Sequence, residues 1–236
     1  MWRRALLLTL ALAAPAAAQQ EPDPDRWRQE RERLVNEHIA AAGIRDPATL
    51  DALRSVPRHE FVPPREQAYA YDDIPLPIGH GQTISQPAVV AMMTELIKPR
   101  PGLRVLEVGT GSGYQAAVLA ATGARVWSVE IFEVLADEAR ARLARLGYTS
   151  VVVRHGDGYA GWPEEAPFDA IVVTAAADSI PPALLEQLAP NGRLVMPVGE
   201  PATHQQLVLV RKSRTGKLTT RELLPVRFVP LLRGIR

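Results

Sequence analysis

Apolar positions recur along this chain in two distinct rhythms. Over 26–42 they fall at helical spacing, with Leu34, Val35, His38, Ile39 and Ala42 on one face and Gly43 as the stop, which predicts an amphipathic helix. Asp46 followed by Pro47 predicts a second, short helix through Arg54, with the carboxylate at its cap and proline in its first turn. Prolines at 57, 63, 64, 75 and 77 then interrupt the pattern, so 56–81 is predicted to be mostly extended or looped. Helical spacing returns over 86–97, opened by Ser85 or Gln86 with Pro87 in the first turn. Beyond Pro101-Gly102 the rhythm changes to short, continuous apolar runs. These predict strands at 103–108, 125–130, 150–154 and 168–174, with helices at 114–122 and 132–146 between the first three. A helix near 181–188 leads through Asn191-Gly192 to a strand at 193–198, and runs at 205–211 and 218–229 flank Ser213-Arg214-Thr215-Gly216 as a hairpin. Strands apolar on both faces belong to a mostly parallel sheet with helices on either side. The predicted class is α/β: a Rossmann-like, doubly wound sheet with a C-terminal antiparallel hairpin and N-terminal helices.

The first eighteen residues follow neither rhythm. Arg3 and Arg4 precede an apolar run over 5–14, and Ala16-Ala17-Ala18 ends it with small residues, the charged, apolar and cleavage-site pattern of a secretory leader. The run is too short for a spanning helix. The expected organisation is thus a leader over 1–18, a linker over 19–29 and one domain over 30–236. Export to the periplasm or medium is expected from the leader, with a cytoplasmic location as the alternative. Over all 236 residues, 27 basic residues face 26 acidic ones, and loss of 1–18 would leave 25 against 26. No basic surplus exists to neutralise a phosphate backbone, so nucleic acid is not an expected partner. The chain has no cysteine, which removes disulfides, thiolate metal sites and cysteine nucleophiles, and its five histidines lack metal-ligand spacing.

Candidate chemistry centres on Val105-Leu106-Glu107-Val108-Gly109-Thr110-Gly111-Ser112-Gly113-Tyr114, an apolar run ending in an acid and feeding a loop with glycine at every second position. Glycine lets the backbone approach a ligand closely because no Cβ holds it off. In the dinucleotide fingerprint G-x-G-x-x-G the third glycine falls where Tyr114 stands; here it comes one residue early, with Glu107 two residues before the first. A carboxylate suits a ligand bearing an ammonium group better than a phosphate, which points to S-adenosylmethionine over NAD. Ligands of open parallel sheets lie beyond the carboxyl ends of the strands. Glu130 at the second strand end can accept both ribose hydroxyl protons, and Asp157, in Gly156-Asp157-Gly158 after the third, can accept from an adenine amino group. The fourth strand end, Thr174-Ala175-Ala176-Ala177, offers small residues, room for a bulky substrate and no acceptor for an amine. A carboxylate acceptor fits, since with a pKa near ~4 it is ionised at neutral pH and needs only alignment.

Further segments carry a family resemblance. They are Pro57-Arg58-His59-Glu60-Phe61-Val62-Pro63, Pro77-Ile78-Gly79-His80-Gly81-Gln82-Thr83-Ile84-Ser85-Gln86-Pro87, the glycine loop through Leu119, Gly156–Pro163, Ala166–Ala176, Gly192–Gly199 and Val226–Leu231. Over roughly residues 30–232 the chain resembles the protein-L-isoaspartate O-methyltransferases, and Gln82–Pro87 is the most specific of these segments. The resemblance implies a class I S-adenosylmethionine-dependent methyltransferase fold and methylation of the α-carboxylate of isoaspartyl residues in damaged proteins. It implies Ser85 as the active-site residue, orienting the substrate carboxylate, with Thr83 as a second substrate contact. Cofactor contacts are expected from Glu107, Gly109, Thr110, Gly111, Gly113, Glu130, Asp157 and Gly158, with no metal. By strand-addition logic, 226–231 is expected to offer backbone groups to an extended peptide. Ala88 departs from the aromatic or histidine that often follows the Ser-Gln-Pro motif. Without the resemblance, Ser85 reads as a helix N-cap. A small-molecule acid as acceptor, and an exported non-catalytic binding module, remain open at this point. The expected partners are isoaspartyl peptides and proteins, with no stable membrane insertion once the leader is removed and a monomeric state.

Overall fold

The computed structural model describes residues 25–200 and 204–234; the leader-like segment 1–18 lies outside them. The N-terminal helical pattern is realised as α1 (Arg26–Arg33) running into a π-helical segment (Leu34–Ile39), whose Leu34, Val35 and Ile39 are buried. Residues 26–29, expected in a linker, are therefore the first turn of α1. α2 (Pro47–Ser55) starts as its sequence dictates: Asp46 accepts from the Thr49 N–H at 2.8 Å, and Pro47 fills the first turn, where no N–H is needed.

The proline-rich stretch, expected to be extended or looped, is organised more closely than that. Two 3-10 turns (Arg58–Phe61 and Pro64–Tyr69) lead into an antiparallel hairpin of β1 (Leu76–Gly79) and β2 (Gln82–Ile84). The hairpin reverses at His80-Gly81, both at positive φ, and delivers the chain to α3 (Pro87–Leu96).

The main sheet contains β3 (Arg104–Val108), β4 (Arg125–Glu130), β5 (Val151–His155), β6 (Phe168–Val173), β7 (Leu188–Val198), β8 (Gln205–Lys212) and β9 (Leu218–Val226). Their order is β5-β4-β3-β6-β7-β8-β9, parallel from β5 through β7 and antiparallel over the last two pairings. The helices are α4 (Tyr114–Ala121), α5 (Glu133–Arg145) and α6 (Pro182–Gln187). Successive side chains on a strand point to opposite faces, so each buried strand feeds two cores. Val105, Val126, Val172 and Val195 pack with Met93 and Leu119 on one side. Leu106, Ile171, Leu194 and Leu184 pack on the other. Each such aliphatic side chain stabilises the fold by about 1.5–3 kcal/mol through removal from water. β7 begins earlier than predicted, crossing Asn191 at φ 63 with a register shift against β6. Because β3 has β4 on one flank and β6 on the other, the chain reverses its direction of winding at the carboxyl end of β3, where this topology opens a crevice.

Candidate active site

The glycine loop leaves β3 at that crevice with φ of 95, 53 and 90° at Gly109, Gly111 and Gly113, values open to glycine at little cost. The three glycines serve different ends. A Cβ on Gly109 would collide with Thr174 Oγ1, whose hydroxyl donates to the Gly109 carbonyl at 2.6 Å. Gly111 donates its N–H to Glu130 Oε2 at 2.7 Å. Gly113 is the N-cap of α4, and a Cβ there would meet Leu143 and Ala139 of α5, so its bare Cα lets the loop pack closely on α5.

Glu130, nearly buried at the tip of β4, ties three backbone donors together. Beyond Gly111, its Oε1 accepts from the Ile131 and Phe132 N–H groups at 2.9 and 3.1 Å. It lines a narrow cleft with Gly109, Gly111, Ile131, Phe132, Gly158 and Leu231. Gly158 belongs there because its bare Cα lets the turn after β5 lie directly on Val108; a Cβ would strike the Val108 side chain.

Three of the expected contacts, Glu107, Thr110 and Asp157, also make bonds within the protein. Glu107 is 0 % exposed, under the loop, where it accepts from Ser128 Oγ. Ser128 Oγ in turn lies 2.5 Å from the hydroxyl of buried Thr110, so both Glu107 and Thr110 brace the loop from behind. Burial pushes the Glu107 carboxyl up to about 8, more than the Ser128 bond lowers it, with Glu130 adding to the rise. Asp157 accepts from backbone on both oxygens, Oδ1 from the Tyr159 N–H at 2.9 Å and Oδ2 from the Gly234 N–H at 3.1 Å, which leaves lone pairs for a further donor.

A second, larger cavity of about 490 Å³ adjoins the cleft. Ser85, Thr83 and Thr174 stand on its wall, with Val89, Met92 and Phe228 supplying apolar surface. Arg227, exposed, is the one charged residue among the described residues that line it. Thr83, Thr174 and Val229 belong to both cavities. Ser85 does not cap α3: the N-cap is Gln86, and its side chain makes no cap bond.

Thr174 escaped the sequence reasoning, although a lone hydroxyl at a strand end before three alanines was the available signal. Those alanines do not make space for substrate. Ala176 receives the C-terminal segment instead, donating to the Val229 carbonyl at 2.8 Å and accepting from the Leu231 N–H at 2.7 Å. Gln205 holds the same segment through both backbone groups of Phe228, at 2.6 and 3.0 Å. The Phe228 backbone, the Val229 carbonyl and the Leu231 N–H are thus paired within the protein, which fixes the segment along the cavity wall.

The cradle fits an adenosyl amino acid. Its glycines leave room that a Cβ would fill, Glu130 offers a carboxylate for vicinal hydroxyls, and Ile131, Phe132 and Leu231 offer apolar surface for a flat base.

Comparison with known proteins agrees. The family profile described as "Protein-L-isoaspartate(D-aspartate) O-methyltransferase (PCMT)" matches residues 29–235. The chain is 57% identical over 206 residues to protein-L-isoaspartate O-methyltransferase 2 of Syntrophobacter fumaroxidans, covering 87% of this chain and 83% of that protein. It is 54% identical to the protein-L-isoaspartate O-methyltransferase of Gloeobacter violaceus over 85% of this chain and 97% of the other. A solved protein-L-isoaspartate O-methyltransferase superimposes with a TM-score of 0.78 at 32% identity, covering 86% of this chain and 66% of the other. A Plasmodium falciparum structure, described as a putative member in complex with S-adenosyl-L-homocysteine, gives 0.74 at 27% identity, over 86% of this chain and 99% of that one. This chain belongs to the protein-L-isoaspartate (D-aspartate) O-methyltransferase family.

Proposed function

We propose that this chain is an S-adenosylmethionine-dependent carboxyl methyltransferase acting on the α-carboxylate of isoaspartyl residues in damaged proteins. The observation that carries the reading is the join of the two cavities. A cleft built of glycine backbone and Glu130 opens at Thr83 and Thr174 onto a roomy, mostly apolar chamber with Ser85 on its wall. When bound, S-adenosyl-L-methionine supplies an electrophilic methyl group on a sulfonium.

The chain's own residues then have little proton chemistry to do. A peptide α-carboxylate, with a pKa near ~3.5, is anionic at neutral pH, so no general base is required. The Ser85 and Thr83 hydroxyls donate to that carboxylate and orient one oxygen toward the join. Catalysis follows from proximity and alignment in a site shielded from water by Val229 and the neighbouring C-terminal segment. Glu130 holds the ribose hydroxyls, and the Gly109 and Gly111 backbone admits the amino-acid end. Glu107 acts on the cofactor only through the loop that it supports, whereas Thr110 also lines a small cavity with Ser85 and Gly109.

Ser85→Ala tests the reading. Methylation of an isoaspartyl peptide is expected to fall by about tenfold in kcat/KM, while the Kd for S-adenosyl-L-homocysteine stays within about twofold. Unchanged turnover removes Ser85 from the site. The chain is further proposed to work as a monomer, exported on the leader-like residues 1–18; N-terminal sequencing from the native host should begin near residue 19. Recovery of a chain starting at Met1 would refute export by that leader.

A further inference from the structure

Asp73 lines neither cavity, yet its carboxylate supplies what the start of α3 lacks. A helix start leaves backbone N–H groups without partners, and Gln86, the N-cap residue, gives no side-chain acceptor. Asp73 Oδ1 instead accepts from the Ala88 N–H at 2.8 Å, and Oδ2 accepts from Gln86 Nε2 at 2.9 Å. One half-buried carboxylate thus grips the chain on both sides of Pro87, immediately after Ser85. The loop that carries Asp73 is anchored in turn. Fully buried Arg58 donates from Nη2 to the Ile74 carbonyl at 3.3 Å, with its guanidinium 4.8 Å from the centre of the Tyr114 ring. Burial lowers the Arg58 pKa, and the Asp73 charge offsets part of that cost. The result is a relay of fixed contacts from the core to the turn that bears the serine.

We propose that Asp73 is a positioning residue for methyl transfer: it holds the 85–88 turn so that the Ser85 hydroxyl keeps its place on the chamber wall, near the join at Thr83 and Thr174. The inference rests on the role proposed above for Ser85. A cap that merely stabilised α3 would alter unfolding without altering turnover of the folded enzyme.

Asp73→Ala and Asp73→Asn in the full chain, each alone and combined with Ser85→Ala, test this. Asp73→Ala is expected to lower kcat for an isoaspartyl peptide by about tenfold, with the Kd for S-adenosyl-L-homocysteine within about twofold of the parent. Asp73→Asn, which keeps an acceptor for the Ala88 N–H, should recover to within about threefold, and serves alone if the alanine variant fails to fold. On the Ser85→Ala background either substitution should cost less than about twofold, because positioning has no value once the hydroxyl is gone. Fully multiplicative effects, or parental kcat in Asp73→Ala, would overturn the proposal. Hydrogen exchange separates it from the functional reading. If the parent enzyme leaves isoaspartyl peptides untouched, the substrate reading fails, while faster exchange at the Ala88 and Val89 amides in Asp73→Ala still supports the clamp and unchanged exchange refutes it.

Discussion

Replacing Glu130 by glutamine probes the centre of the cofactor cleft with almost no change in volume. The carboxylate accepts three backbone N–H bonds, from Gly111 at 2.7 Å, Ile131 at 2.9 Å and Phe132 at 3.1 Å. An amide has one oxygen. If it stays on the Ile131–Phe132 pair, its NH2 is turned against the Gly111 N–H, and the loop loses its anchor to β4. A hydrogen bond to a charged group contributes about 1.5–3 kcal/mol, so the ligand-free protein should lose about that much stability. For a chain of this size that is a fall of roughly 3–12 °C in Tm. The ribose loses an anionic acceptor at the same time. A further ~1.5–3 kcal/mol there weakens binding by about 10- to 150-fold. Calorimetric titration with S-adenosyl-L-homocysteine, run beside thermal unfolding without ligand, reads the two effects separately. A lowered Tm with a Kd within about twofold of the parent would refute the ribose assignment and leave Glu130 as a brace for the loop alone.

Glu107→Gln should change the pH dependence of stability. The carboxyl is raised from 4.5 to about 8, so its contribution is complete below the unfolded value and is lost as pH rises toward 8. Denaturant unfolding should show the parent losing stability relative to the glutamine variant between about pH 4.5 and pH 8, with ~5 kcal/mol as a ceiling; parallel profiles would show that the carboxyl is not held protonated. Gly109→Ala should weaken cofactor binding by about tenfold or more, because its Cβ meets Thr174 Oγ1 and its φ of 95° disfavours any side chain. Parental affinity for S-adenosyl-L-homocysteine would show that the loop adapts freely.

The sheet was largely readable from local pattern. Doubly buried parallel strands appear as unbroken apolar runs, and Asp46-Pro47 carries its own helix start. The β1–β2 hairpin was not readable, since strands of four and three residues holding Pro77 and Gly79 give no alternation to detect. Asn191-Gly192 looked like a turn, but the structure absorbs Asn191 at positive φ inside β7. Within the site, residue types pointed to the right neighbourhood without fixing which way each side chain faces. Glu107 lies on the loop motif but turns into the core, and Asp157 turns toward the Tyr159 and Gly234 N–H groups. Thr174, Gln205 and Asp73 act across 65, 23 and 15 residues of chain, distances at which no local spacing rule speaks.

Thr83, Thr174 and Val229 each form part of two chambers. Occupants of the two chambers therefore press on the same three side chains, and their affinities are thermodynamically coupled wherever either one shifts them. Such coupling is reciprocal: whatever factor the donor imposes on peptide affinity, the peptide imposes on the donor. Spent donor left in its cleft would bias acceptance of the next damaged chain by that same factor.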